Sequence, residues 1–465
     1  MSISIFIFRR DLRIYDNTSL NLLKEKFPNN KILPIFIFNK NQIDKDKNKY
    51  YSSNSVQFLF ESLEELPFIN FYYTDNDITI LNEIKKNFKQ ISAVAFNKDY
   101  SPYAIKRDAE IKNWCNSNSI TLISEEDYTL HNIGTIMKDD NKPYLKYTPF
   151  YKKALLKKPK AINSTIINIS STFTNDSKND NNNKNGAKTL NHFSFLRPTP
   201  NPHIKVNGGR KRAVEILTKV KNNYFRNYGE EREYPFLDKT TKMSAYIKFG
   251  CISIREIYYL LPLKHPLVRE LIWRDFYAYI SFYFPHIYGN NYNKKYENIK
   301  WNSLNNPNVN SNFEKWKKGM TGFPLVDGAM RQLNETGWMH NRCRMVVASF
   351  LTKNLFIDWR KGEEYFASKL VDYDPASNNG GWQWCASTGT DSQPYFRIFS
   401  PSAQLLKFDK DCSYVKQWIP ELRTVDNKII LNWEKKNDYT NINYPKPIID
   451  IKTSSKKFIS VFKKV

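Results

Sequence analysis

Five short β-branched or aromatic runs, at residues 3–8, 32–38, 69–73, 91–96 and 120–123, alternate with helical patterns near 55–66, 78–88 and 102–115. Such alternation closes as a parallel sheet with helices on its faces, because parallel neighbours need a crossover connection between them. The rhythm predicts a doubly wound, Rossmann-like α/β domain over residues 1–130. A dinucleotide fingerprint is missing from it: after the first run stands Arg9-Arg10-Asp11-Leu12-Arg13, not a glycine-rich phosphate loop. From about Asn207 the strand signal fades and a 3.6-residue period takes over, through 209–224, 243–261, 267–284, 326–355, 362–370 and 413–419. Residues 207–465 are therefore expected to form an all-α domain. Residues 131–206 read as a linker, and 170–188 is so poor in apolar side chains that a solvated loop is expected there.

At 465 residues with 41% hydrophobic side chains, the chain can bury more than one core. Lys and Arg number 71 against 46 Asp and Glu, a net charge of +25 that attracts a polyanion such as nucleic acid. A Lys-, Asn- and Ile-biased composition accounts for the same charge. Five scattered cysteines without a CxxC pair argue for a reducing, intracellular compartment rather than a disulfide framework. The six histidines are equally dispersed, so no metal is expected. The apolar run at 3–8 is too short for a signal sequence, and no run approaches the roughly 20 apolar residues that span a bilayer. A soluble protein away from membranes is expected.

Chemistry concentrates between residues 372 and 399, DYDPASNNGGWQWCASTGTDSQPYFRIF. Gly380 and Gly381 permit close backbone approach, Asp372 and Asp374 need cationic or N–H partners if buried, and Trp382 and Trp384 are large π surfaces. The combination points to a planar guest with polar edges. In the helical pattern around 267–279, Glu270, Trp273 and Arg274 share one face, which reads either as a site or as a structural ion pair beside a core tryptophan. A later helix places Asn341 and Met345 four residues apart with Arg344 beside them and Arg342 off that face. Thr240, Thr241 and Ser244 precede a helical pattern where hydroxyls and N–H groups suit an anion, with Tyr228 upstream. For Trp301, Trp359 and Trp382, residue types alone favour core packing.

The motifs FRRDLRIYDN, GGRKRAVEIL, TTKMSAYIKFG, ELIWRDFY, TGFPLVDGAMRQLNETGWMHNRCRM, IDWRKGEEYF, NNGGWQWCASTGTD, YFRIFSP and KQWIPEL together resemble the DNA photolyase and cryptochrome flavoproteins, in particular the class I cyclobutane pyrimidine dimer photolyases. The resemblance implies an α/β antenna domain and a helical domain holding FAD. It carries FAD-phosphate roles to Tyr228, Thr240, Thr241, Lys242, Met243 and Ser244, and flavin and ribityl roles to Arg344, Asp372, Asp374 and Asn378. Trp382, Trp359 and Trp301 become an electron-transfer chain. Glu270, Trp273, Asn341, Met345 and Trp384 become the lesion pocket, with Arg342 and Arg397 on DNA phosphates. In the family, light-excited reduced FAD passes an electron to a dimer flipped out of the duplex, the cyclobutane ring opens and the electron returns.

Single positions separate the subfamilies by resemblance. The (6-4) photolyases carry histidines where this chain has Asn341 and Met345; plant cryptochromes carry Asp and insect ones Cys at Asn378. Only a basic tail, KTSSKKFISVFKKV, follows the last helical motif, so repair is expected in preference to a cryptochrome-type blue-light photoreceptor without repair activity. A charge-driven, non-enzymatic nucleic-acid-binding protein is the remaining alternative. Ala104 stands where folate-binding members carry a carboxylate, so the antenna is expected to be a deazaflavin or another flavin, if one is bound. UV-damaged DNA is the expected partner of a monomer.

Overall fold

The computed structural model describes residues 2–88, 90–165, 167, 169, 187–436 and 438–464. Most of the expected loop at 170–188 lies outside them. The chain divides into two compact units, one made of Met1–Pro200, Val206–Tyr224 and Lys242–Tyr283, the other of Asn201–Lys205, Phe225–Thr241 and Phe284–Val465. Helices Arg210–Lys221, Met243–Phe249, Ile254–Tyr259 and Pro266–Tyr283 thus group with the N-terminal residues, although their periodicity continues into the helical half.

In the first unit, β1 (Ile3–Phe8), β2 (Lys31–Asn39), β3 (Asn70–Thr74), β4 (Ile91–Asn97) and β5 (Thr121–Glu125) form one parallel sheet in the order β3-β2-β1-β4-β5. Every residue of β1 is buried, as expected for a central strand covered on both faces. Its neighbours register as Ile5 opposite Leu33 on one side and Val94 on the other. The chain winds away from β1 in both directions, which makes the carboxyl ends of β1 and β4 the switch point of the sheet. The helices that matter below are α1 (Thr18–Lys26), α2 (Pro102–Ser117), α3 (Tyr147–Leu155) and α4 (Pro266–Tyr283). The arginine-rich turn after β1 is engaged by the unit's own carboxylates. Arg9 pairs with Asp108 at 2.6 Å, and Asp127 accepts from both Arg13 (2.5 Å) and Arg255 (2.8 Å). Burial alone would raise the Asp127 pKa, but the two guanidiniums outweigh it and hold the carboxylate well below its usual range.

The second unit is helical, with no strand among its described residues. Its principal helices are α5 (Asn341–Ser349), α6 (Trp359–Lys369), α7 (Pro375–Ala386) and α8 (Ile451–Phe462), and a π turn, Phe350–Asn354, continues α5. The long helical pattern over 326–355 is broken at Gly337, whose φ of +66° ends helix Pro324–Thr336. Asp374 opens α7 by accepting from the Ser377 amide at 3.0 Å, with Pro375 in the first turn. One core, built around Trp316, Phe350, Trp359, Phe366 and Trp382, unites α5, α6 and α7, while α8 buries Phe458 and Phe462 in a second cluster with Tyr296, Ile299 and Phe356. Among the described residues no helix is long and apolar enough to cross a membrane.

Candidate functional site

Trp382 and Trp384 are two residues apart on α7, and at about 100° per residue a helix sends them to nearly opposite faces. Trp382 is buried, edge-on to Phe366 at 5.0 Å and to Trp316 at 6.2 Å, whereas Trp384 is half-buried at the margin of the core. Gly362 on α6 makes room for Trp382: a Cβ there would lie 2.1 Å from the indole. Sequence reasoning passed over this glycine, because the need for it appears only when α6 and α7 meet. Trp359, the first residue of α6, has no exposed surface and donates its indole N–H to Asn291 Oδ1 at 2.8 Å. Trp301 is partly exposed and packs on Phe356 at 5.1 Å. All three tryptophans therefore belong to one core, graded from buried to partly exposed.

Around the start of α7 the predicted polar residues converge. Arg344 on α5 donates from one terminal nitrogen to both oxygens of Asp372, at 3.0 and 3.1 Å, and from Nε to the Met339 carbonyl at 2.8 Å. Asp372, Asp374 and Asn378 are all buried. The Asn378 amide is oriented by donating to the Glu363 carbonyl at 3.2 Å. Its neighbour Asn379 is structural: it donates to the Ile287 carbonyl and to Glu363 Oε1, and accepts from Gln383 at 2.9 Å. At Gly381 an added Cβ would meet nothing within 4 Å, so α7 presents open space there. Buried polar groups at one end and an open helix face suit a planar guest with polar edges, and FAD is such a molecule. Tyr228 and Thr241 of this unit are buried, and Thr240 is half-buried.

His340 caps α5, its Nδ1 accepting from the Arg342 amide at 3.1 Å. Burial first, then the adjacent Arg342 guanidinium, push its pKa down to about 4, which keeps the ring neutral and able to accept. Asn341 is exposed, with its amide nitrogen 3.9 Å from the half-buried Met345 sulfur. Arg342 pairs with Glu233 and lies over the Phe408 ring at 4.3 Å. Arg397 is exposed on the turn between α7 and helix Pro401–Phe408, where its guanidinium donates to Gln393 at 3.2 Å.

The first unit carries the remaining predicted residues. On α4, Trp273 lies parallel to the buried Tyr147 of α3, ring centroids 3.5 Å apart and planes at 6°. The ion pair considered for Glu270 with Arg274 is replaced by another arrangement. Arg274 donates to the Tyr128 carbonyl at 2.5 Å and lies 3.8 Å over that ring, a hydrogen bond and a cation–π contact to the same residue. Lys242 takes a left-handed conformation, φ +54°, ahead of helix Met243–Phe249; Met243 is buried and Ser244 exposed. A cavity of about 610 Å³ also lies in this unit, walled by Phe96, Tyr100, Ile105 and Phe282 with Lys98 and Glu126 among its polar lining. Ala104 is buried in the first turn of α2.

Two family models match the chain: "DNA photolyase" over residues 4–165 and "FAD binding domain of DNA photolyase" over 267–464. The deoxyribodipyrimidine photo-lyase of Buchnera aphidicola subsp. Baizongia pistaciae is 35% identical, the match covering 100% of this chain and 98% of the relative. That of Alkalihalophilus pseudofirmus is 33% identical, over 98% of this chain and 97% of the relative. Among solved structures, the archaeal photolyase from Sulfolobus tokodaii, which holds two FAD molecules, superposes with a TM-score of 0.85 at 35% identity, covering 100% of both chains.

Proposed function

The chain belongs to the DNA photolyase family, and from that premise we propose that it is a deoxyribodipyrimidine photo-lyase, repairing cyclobutane pyrimidine dimers in DNA with light and reduced FAD. The observation that carries the reading is the pair of tryptophans on α7, one sealed in the core that also holds Trp359 and the other left half-exposed on the opposite face. Bound FAD would supply light-driven one-electron chemistry that no side chain offers. Arg344 and Asp372, locked to each other, would hold its polar edge together with Asp374 and Asn378. Tyr228, Thr240 and Thr241 are assigned to its phosphates, as are Lys242, Met243 and Ser244. Trp382, Trp359 and Trp301 would deliver electrons to oxidised flavin, the first two buried and Trp301 partly exposed.

Trp384, Asn341 and Met345 offer an aromatic surface, an amide and a thioether to a dimer extruded from the duplex. Glu270 and Trp273 carry hydrogen-bonding and stacking assignments of their own. Neither Asn341 nor Met345 can move a proton as a histidine would, which favours cyclobutane dimers over (6-4) products. Arg397, exposed on its turn, is assigned to a DNA phosphate, and Arg342 likewise once released from Glu233. For a second chromophore, the cavity of the first unit has aromatic walls and a few polar groups, the composition that suits a flavin-like ring. The two FAD molecules of the S. tokodaii photolyase support a flavin there.

The lesion assignment is tested by Trp384→Ala. Loss of base stacking should weaken binding to dimer-containing duplex by about 1–3 kcal/mol while leaving binding to undamaged duplex unchanged. Equal affinity of variant and parent for damaged DNA removes Trp384 from the pocket.

A further inference from the structure

Lys353 is 1% exposed, inside the π turn that continues α5. An ammonium group is strongly unfavourable in such a place unless something needs it. No carboxylate pairs with it among the described residues. Its Nζ donates to the Arg397 carbonyl at 2.9 Å, with the Phe458 ring 5.5 Å away and the buried Cys385 thiol nearby. Burial pulls its pKa down to about 8, as expected for a cation without a counter-ion. A methionine would fill the same space without that cost, so packing alone does not account for a lysine.

What the ammonium holds is a short turn. The Arg397 amide donates to the Pro394 carbonyl at 2.9 Å, and Phe399 N reaches Ser349 Oγ at 3.4 Å, a second tie to the end of α5. The Arg397 side chain itself points to solvent, resting on Gln393. One helix thus displays Asn341 and Met345 from its first turns and, through the π turn at its far end, grips the backbone of Arg397. π turns recur at functional sites, where they re-aim a side chain without ending the helix.

We propose that Lys353 is a positioning residue for DNA: its ammonium clamps the Arg397 carbonyl so that the Arg397 guanidinium meets a phosphate in fixed register with the residues on α5. The proposal rests on the assignment of Arg397 to a phosphate, and the experiment separates the two. In the FAD-loaded protein, Lys353→Met is compared with Arg397→Ala and with the double variant, using hydrogen exchange over residues 394–399 and binding to dimer-containing duplex across a salt series. Lys353→Met should speed exchange in the turn and weaken binding about tenfold, a typical loss for a charge-assisted contact. It should also lower the slope of log affinity against log salt by about 0.9, the value of one phosphate contact. Arg397→Ala should give the same loss and slope, and the double variant no further loss; the flavin spectrum stays constant throughout.

Unchanged exchange in Lys353→Met overturns the clamp. Faster exchange with unchanged affinity and slope, while Arg397→Ala weakens binding, shows that the turn is held but need not be, and overturns the positioning role. If Arg397→Ala itself leaves affinity and slope unchanged, the phosphate assignment falls and the positioning role falls with it, whatever the exchange data say about the clamp. Should Lys353→Met lose FAD, Lys353→Leu, which likewise removes the donor, is put through the same comparison and judged by the same outcomes.

Discussion

His340 shows how much of this protein's behaviour is set by the surroundings of one side chain. Its Nδ1 must be unprotonated to accept from the Arg342 amide, and burial with the neighbouring guanidinium lowers its pKa from 6.5 to about 4. Because the folded-state pKa lies below the unfolded one, the unfolded chain binds the extra proton between these values. This histidine therefore contributes stability that is fully present above about pH 6.5 and is lost as pH falls toward 4. Nuclear magnetic resonance of the ring should give a titration midpoint near 4; a midpoint at or above 6.5 contradicts the buried cap. Other residues divide by how much of their role was legible from type and position. The carboxylates Asp372 and Asp374 were conspicuous beside a tryptophan pair, and both are buried around the start of α7. The resemblance singled out Asn378 over Asn379, but what separates two adjacent amides physically appears only in the packing, where Asn379 is tied to the Ile287 carbonyl and Glu363 Oε1 while Asn378 donates to the Glu363 carbonyl.

The junction of α6 with α7 depends on an absent side chain. Gly362 lets the helices close over Trp382, and a methyl group placed there would sit 2.1 Å from the indole. Gly362→Ala should cost about 1–3 kcal/mol of stability through overpacking. It should also slow photoreduction of oxidised flavin, because the ring it displaces is the one assigned to donate first. A variant with parental melting temperature and parental photoreduction would show that the junction has slack. Trp359→Phe probes the same element differently. It removes the indole that donates to Asn291, and is expected to abolish photoreduction while reduced protein still repairs; unimpaired photoreduction would return Trp359 to a packing role. Helical periodicity revealed α6 and α7 as elements, but helix contacts lie between elements distant in sequence, so neither the need for Gly362 nor the shared core of the three tryptophans could be read from spacing.

Across the whole molecule, the alternation of β-branched runs with helical segments was sufficient to anticipate the parallel sheet, because period and run length are local properties. The assignment of helices Arg210–Lys221 and Pro266–Tyr283 to the same unit as that sheet was not, since it depends on which apolar faces meet. In the turn after β1, Arg9 and Arg13 are engaged internally by Asp108 and Asp127. Surplus positive charge is thus no guide to function until the paired cations are separated from exposed ones such as Arg397. The central claim is catalytic and is tested directly by illuminating the protein, loaded with reduced FAD, in the presence of an oligonucleotide containing one cyclobutane thymine dimer. The prediction is restoration of two intact thymines in light and none in darkness. Protein that binds FAD and the damaged strand but restores no thymine under light would contradict it and leave a photoreceptor in its place.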